Sequence, residues 1–292
     1  MKEKVLILGG NGMIGHNLLL NLKNYFDVRV TLRNKQEFYK GLKIFDKTNA
    51  FYSIDASNIS TFQKIIEQFK PDYIINAIGV TKQKADISRN ETLYINGKFP
   101  HLIYDIAHAN SKMIIQLSTD CVFSGKKGMY IEKDFPDADD VYGKTKIMGE
   151  LNYKKALTLR KSTIGFELKN NHGLFEWWLN SKNSIYGFNN AIYSGVTTST
   201  LSKLIIKILL KKKKIPGIFH VGSQPISKFD LLILLNHIFD RNNLKVIKDE
   251  KFKCDRSLNG SLFLEKYQIQ LPNWNDMLSD LRGERPFYEK LR

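Results

Sequence analysis

Cysteine, proline and acidic side chains are scarce in this chain, and it contains no long apolar run. Its 292 residues include only two cysteines, Cys121 and Cys254. Two thiols without metal-ligand spacing build neither a disulfide framework nor a zinc site, so reduced thiols and no resident metal are expected. Seven prolines and 19 glycines exclude collagen-like and low-complexity chains. No apolar stretch approaches the roughly 20 residues that span a bilayer. The apolar segment at 201–210 is interrupted by Ser202, Lys203 and Lys207. The segment at 5–8, between Lys4 and a glycine cluster, is too short for a secretory signal. A cytoplasmic protein with no membrane partner is expected.

The shortage of acid leaves 29 Asp and Glu against 45 Lys and Arg, a net charge of +16. A field of that sign attracts anions. The lysines, however, are spread along the chain. The densest run, Lys211 to Lys214, follows a helix-like segment, where cations complement the helix dipole. No nucleic-acid-binding motif accompanies the charge. A solvated lysine-rich surface that also steers a nucleotide diphosphate fits best.

What is present is an alternation of strand and helix patterns. Strand-like runs occupy 5–8, 28–32, 51–54, 73–77, 113–117, 156–159 and 218–221. Helical periodicity covers 13–22, 61–69, 86–109 (broken before Pro100), 141–153, 173–179 and 200–210. Further helices are expected from Ser227 to about 239 and over 275–282. Such alternation predicts an α/β fold, a doubly wound parallel sheet with helices on both faces. Residues 1–163 are assigned to a dinucleotide-binding domain. Residues 164–292 are assigned mainly to a smaller C-terminal substrate-binding lobe, with segments near 190–221 returning to the first domain.

Gly9, Gly12 and Gly15 stand in a G-x-x-G-x-x-G spacing directly after the first strand and open a helix. Such a loop makes a tight turn, admits a pyrophosphate close to its backbone and packs helix on strand. The context is that of a Rossmann-type dinucleotide site. The second strand ends in Arg33 where an acidic residue would mark NAD, so Arg33 favours the 2′-phosphate of NADP, with NAD left open. Asp55, after the third strand, could accept from an adenine amino group; a plain turn carboxylate would look the same.

Tyr142 and Lys146 lie at i and i+4 on one helix face. A nearby ammonium lowers a phenol pKa, which suits a proton shuttle. Thr119 follows the fifth strand, at the carboxyl end of the sheet where sites of such folds form. In order, and behind the glycine loop, Thr119, Tyr142 and Lys146 form a candidate catalytic set.

With these residues in view, the chain resembles the extended short-chain dehydrogenase/reductases, and most the dTDP-4-dehydrorhamnose reductase branch with its sugar-nucleotide-binding relatives. The resemblance rests on the glycine loop, Asp55-Ala56-Ser57, Asn76-Ala77-Ile78-Gly79, Asn96, the segment from Ser118 to Gly125, and Tyr142 to Lys146. It continues through Arg160-Lys161-Ser162, 195–198 and 217–221. It implies NAD(P)H-dependent reduction of a nucleotide-linked 4-keto-6-deoxy sugar, in the making of cell-surface polysaccharide precursors. Thr119 would bind the C4 carbonyl, Tyr142 would give the proton, and Lys146 would hold the nicotinamide ribose. Gly9, Asn11, Gly12, Met13 and Ile14, with Gly15 in the same loop, would hold the pyrophosphate. Ala56 would lie near the adenosine. Asn76, Ala77, Ile78 and Gly79 would line the path to the nicotinamide, and Asn96 would support a proton relay. Val80, Thr81 and Asp120 would touch the sugar.

Two departures stand beside the sugar. Cys121 replaces an aromatic residue, and the sequence from Val80 to Gln83 differs from the family's. A rhamnose precursor and a related deoxy- or amino-sugar nucleotide both fit. Dehydration is disfavoured, because Asp120 is followed by Cys121 and not by a second carboxylate. Cys121 and His172 resemble the acid-base pair of the GDP-fucose synthases, which epimerise before reducing. A small buried thiol and a loop histidine explain them as well. A non-catalytic subunit on the same fold, of the kind that regulates methionine adenosyltransferase, is the alternative from another class. Trp177 is a candidate for packing on sugar or base, and Arg256 for holding a diphosphate. A homodimer is compatible with the sequence.

Overall fold

The computed structural model describes residues 1–169, 173–211 and 214–291. His172 and the middle of the lysine run, Lys212 and Lys213, lie outside the described residues. Seven strands form the central sheet: β1 (Lys4–Leu8), β2 (Asp27–Thr31), β3 (Ala50–Phe51), β4 (Tyr73–Asn76), β5 (Met113–Leu117), β6 (Ala156–Lys161) and, later in the chain, β10 (Gly217–Val221). Their spatial order is β10-β6-β5-β4-β1-β2-β3, and every pairing is parallel. The order reverses at β1, with β2 on one side and β4 on the other. That is the switch point where an open parallel sheet leaves a crevice for a ligand.

The residue pattern explains why both faces are covered. Along β1 alternate side chains point to opposite faces. Val5 and Ile7 join the core under the helices Met13–Leu22 and Thr198–Leu210. Leu6 and Leu8 join the core under Ile59–Phe69 and Phe99–Ala109. All four are fully buried, which is why the run reads as continuously apolar.

The rest of the chain adds β7 (Thr163–Ile164) paired with β9 (Val196–Thr197), and a three-stranded sheet. In that sheet β8 (Ser184–Tyr193) lies between β11 (Ile226–Ser227) and β12 (Lys245–Asp255).

Several expected boundaries move, each for a visible reason. β3 is shorter than 51–54 because Ser53 adopts a positive φ and turns the chain. The expected helix at 86–109 is a succession of short turns, 82–85 and 89–92, then a π-helical turn Leu93–Lys98 and the helix Phe99–Ala109. Pro100 does not end the helical run: the π-helical turn leads straight into Phe99–Ala109, with the Phe99 N–H bonded to the Tyr94 carbonyl oxygen. The helix expected at 141–153 stops at Met148, ahead of Gly149. Thr197 caps the helix Thr198–Leu210, which begins ahead of the expected 200–210, and Ser227 caps Lys228–Ile238. The last helix runs on to Leu291 with Pro286 inside it.

Candidate active site

The glycine loop crosses the carboxyl end of β1. A Cβ on Gly15 would sit 2.1 Å from the Gly9 carbonyl oxygen, so only glycine lets helix Met13–Leu22 start this close to the strand. Gly12 is the N-cap of that helix, and no side chain among the described residues caps it. A Cβ there would meet nothing nearer than 3.5 Å. The first turn therefore presents free amide groups and open space, the arrangement that accepts a phosphate.

A cavity of about 240 Å³ adjoins this turn. Gly9, Asn11 and Gly12 line one wall, Arg33, Asp55 and Ala56 another, and Ala77 to Val80 a third. A second cavity of about 780 Å³ shares the loop and extends past Met13, Thr81 and Gly173. The residues present fit a dinucleotide: uncapped amides for the pyrophosphate and a partly apolar slot beside them.

Not every sequence-predicted cofactor residue faces these cavities. Ile14 packs against the core, and Gly15 serves helix packing. Asn76 is fully buried, donating to Gln116 at 2.8 Å and accepting from the Ile78 amide at 3.1 Å. Asn96 holds both backbone groups of Val80, at 2.9 and 3.0 Å. It shapes the loop after β4, and its polar atoms are engaged there, not in a relay. Arg33 lines both cavities and stays largely exposed; its Nε donates to Asp55 at 3.0 Å, and Glu91 lies 3.8 Å from its Nη1. Asp55 in turn accepts from the Ser57 amide and hydroxyl. These bonds, led by the Ser57 hydroxyl, hold its carboxyl below the usual range, so its oxygens have partners before any adenine arrives.

The catalytic candidates converge beyond the end of β5. Thr119 is buried; its hydroxyl donates to Asp120 at 3.1 Å and accepts from the Cys121 amide at 3.1 Å. The same hydroxyl also interacts with the Tyr142 phenol. Tyr142 rides on helix Val141–Met148, whose N-cap Asp140 accepts from the Gly143 amide at 2.7 Å. A Cβ on Gly143 would lie 2.5 Å from the Cys121 carbonyl oxygen. The glycine inside the Tyr-Gly-Lys run therefore lets the helix dock onto the segment that carries Thr119. Lys146, one turn on, is buried and donates to the Leu117 carbonyl at 2.8 Å. Burial, aided by the charge of Lys161, brings its pKa down to about 8.

One expectation is reversed. Tyr142 was expected to have a lowered pKa beside a lysine. Its pKa is instead raised, first by burial and then by Cys121, with smaller contributions from Asp120 and Asp140. Lys146 is engaged at Leu117. The phenol therefore keeps its proton at neutral pH, the state a proton donor needs.

Around Thr119 lies a polar cluster. Asp120 is buried, which raises its pKa against the pull of Thr119, Arg256, Lys161 and Lys228. Arg256 donates to the Phe123 carbonyl at 2.8 Å and approaches the Cys121 sulfur at 3.9 Å. Burial and the neighbouring Asp120 push the Cys121 thiol up to about 12. Below the site, Glu150 accepts from Ser118 at 2.7 Å and pairs with buried Arg160 at 2.7 Å, fixing the strand ends. Trp177 is exposed and lines neither cavity, while Trp178 is the buried one, donating to Asn236. Lys161 and Lys228, whose charges pull the Asp120 pKa down, and Tyr193, whose own pKa the Asp120 charge raises, were given no role from the sequence. Lys161 ends β6, so the rule that sites form at strand carboxyl ends could have found it.

The parallel sheet, the uncapped glycine turn and the Thr-Tyr-Lys set define a dinucleotide-dependent α/β protein of the Rossmann class. Within that class the chain belongs to the RmlD substrate binding domain family, which it matches over residues 2–283. It is 29% identical over 261 residues to a dTDP-4-dehydrorhamnose reductase of Aggregatibacter actinomycetemcomitans, covering 80% of this chain and 88% of that protein. It is 26% identical over 153 residues to methionine adenosyltransferase 2 subunit beta of Bos taurus, 51% of this chain and 42% of the relative. Its fold matches a Bacillus anthracis dTDP-4-dehydrorhamnose reductase solved in complex with NADP, with a TM-score of 0.78 at 22% identity over 97% of this chain and 100% of the other.

Proposed function

We propose that the protein is an NADPH-dependent reductase of a nucleotide-linked 4-keto-6-deoxy sugar, acting in deoxysugar synthesis. The observation that carries this is the pairing of a protonated phenol, Tyr142, with a buried hydroxyl, Thr119, in a fold that also carries a glycine turn open to a pyrophosphate. The relationship to reductases of that name over most of the chain supports it. NADPH supplies the hydride when bound. The chain's own residues do the rest. Thr119 is fixed by Asp120 and the Cys121 amide, which aims its hydroxyl at an incoming carbonyl oxygen. Tyr142 gives its proton to that oxygen as the alkoxide forms. Buried Lys146 stands one turn away to bind the ribose. Arg256, Lys161 and Lys228 gather positive charge where the anionic sugar nucleotide enters.

A coupled epimerisation has less support, since a thiol held near 12 does not serve as a base at neutral pH. The half-length match to the methionine adenosyltransferase subunit keeps a cofactor-binding regulator as the second reading. Turnover of NADPH with dTDP-4-keto-6-deoxyhexoses separates the two. In Tyr142→Phe, kcat is expected to fall by about 10² to 10⁴, the usual contribution of a general acid, with substrate KM little changed. NADPH binding without turnover of any keto-sugar nucleotide would favour the regulator.

A further inference from the structure

The helix Met13–Leu22 has a second feature behind its glycine turn. His16 is fully buried. One ring nitrogen, Nδ1, lies 2.8 Å from the Gly12 carbonyl oxygen, and the other, Nε2, lies 2.7 Å from the Tyr288 hydroxyl. Tyr288 is carried by the last helix, Trp274–Leu291, 272 residues away in sequence. A carbonyl oxygen only accepts, so Nδ1 carries the proton and donates. In the neutral ring Nε2 is then bare and accepts from the phenol. Burial holds the imidazole neutral, with its pKa lowered to about 4. Tyr288 is itself oriented by stacking on Phe166, with ring centroids 4.3 Å apart and planes inclined by 16°.

The Gly12 carbonyl accepts twice, from the His16 ring and from the His16 backbone amide at 3.1 Å. Across a planar trans peptide the C=O and N–H point in opposite directions. Holding the Gly12 oxygen into the helix therefore holds the Met13 N–H outward, away from the helix, at a turn that no side chain among the described residues caps. We propose that His16 and Tyr288 are positioning residues for the dinucleotide: through the imidazole, the C-terminal helix aims the first-turn amides at the pyrophosphate. This rests on the reading of the glycine turn as a cofactor cradle.

The neighbouring contact supplies a control. Asn17, next to His16, donates to Glu284 on the same last helix at 3.3 Å. That bond ties helix to helix but does not touch the Gly12 carbonyl. A merely structural role for the helix contact would make both links equivalent.

The test is NADPH affinity by fluorescence titration, with cofactor-free hydrogen exchange at the His16 amide, which the Gly12 carbonyl holds. Tyr288→Phe keeps the stacked ring and removes only the hydroxyl. It is expected to weaken NADPH binding about tenfold, to speed exchange at this amide by a similar factor, and to leave kcat at saturating cofactor within about twofold. His16→Leu is expected to weaken binding further. Glu284→Gln is expected to shift the melting temperature and leave NADPH affinity unchanged. Equal affinity in wild type and Tyr288→Phe overturns the proposal, as does an equal loss in Glu284→Gln. A wild-type protein that binds no dinucleotide instead removes the cofactor reading on which it rests.

Discussion

At the scale of single residues, the site works by burial against charge. Tyr142 keeps its proton because it is enclosed with Cys121, Asp120 and Asp140 nearby. Lys146 gives its proton up more easily because it is enclosed with Lys161 nearby. The two residues of one Tyr-x-x-x-Lys pair are thus moved apart on the pH scale, the phenol upward and the ammonium downward, by the same desolvation acting on opposite charge types. A consequence can be measured. Lys146 is charged below pH about 8 and neutral above it. If its ammonium holds the ribose, kcat/KM is expected to fall as pH rises through that value. Lys161→Met removes a charge that lowers the Lys146 pKa, so the alkaline limb should move upward in that variant. The pH profiles of wild type and variant decide it. An unmoved limb would assign it to another group.

At the scale of elements, the site depends on how closely helix Val141–Met148 approaches the segment after β5. Gly143 sets that distance, since an added Cβ would fall 2.3 Å from the Ala138 Cβ and 2.5 Å from the Cys121 carbonyl oxygen. Gly143→Ala must push the helix away, carrying Tyr142 from Thr119. A misplacement of about 1 Å costs on the order of 100-fold in rate, and overpacking costs about 1–3 kcal/mol. Steady-state kinetics and urea unfolding should show both, whereas wild-type-like kcat would mean the helix tolerates the methyl group. This docking was not legible in the sequence, although Tyr142 and Lys146 were, because i and i+4 spacing reports only one helix face. The central strands were legible because burial on both faces writes continuous apolar runs. Strands β8 and β12 were not. The β12 sequence, 245–255, places lysines at 245, 248, 251 and 253, and its exposed positions hide the two-residue period. Tyr193 was missed with its strand. Asp120, Cys121 and Arg256 meet in the structure because each follows a strand end, a juxtaposition that spacing along the chain does not show; nor does a sequence show which carboxylate lies opposite Arg33.

At the scale of the whole molecule, two buried histidines and two carboxyls, half-buried Glu284 and buried Asp120, couple the fold to pH in opposite senses. His16 and His220 use the same arrangement: Nδ1 donates to a carbonyl oxygen, of Gly12 or Tyr130, and Nε2 accepts, from Tyr288 or Arg160. Protonation would remove that acceptor, and burial already lowers both pKa values to about 4. Between pH 4 and 6.5 the unfolded chain therefore binds two protons that the native protein refuses, so stability rises with pH. Glu284 acts the other way. Burial raises its pKa to about 7, so between pH 4.5 and 7 the native protein holds a proton the unfolded chain has lost, and stability falls as pH rises. Asp120, whose pKa burial also raises, acts in the same sense as Glu284, so two carboxyls oppose the two histidines between pH 4.5 and 6.5. Glu284→Gln deletes one opposing group while keeping a side chain that Asn17 can bond. Its slope of stability against pH over this window is expected to be more positive than that of wild type by about 1.4 kcal/mol per pH unit. Urea midpoints at pH 4.5, 5.5 and 6.5 for both proteins measure it. A slope unchanged by the substitution would mean that Glu284 ionises in the folded state much as it does in the unfolded chain, and that the last helix is joined to Asn17 through a charged group.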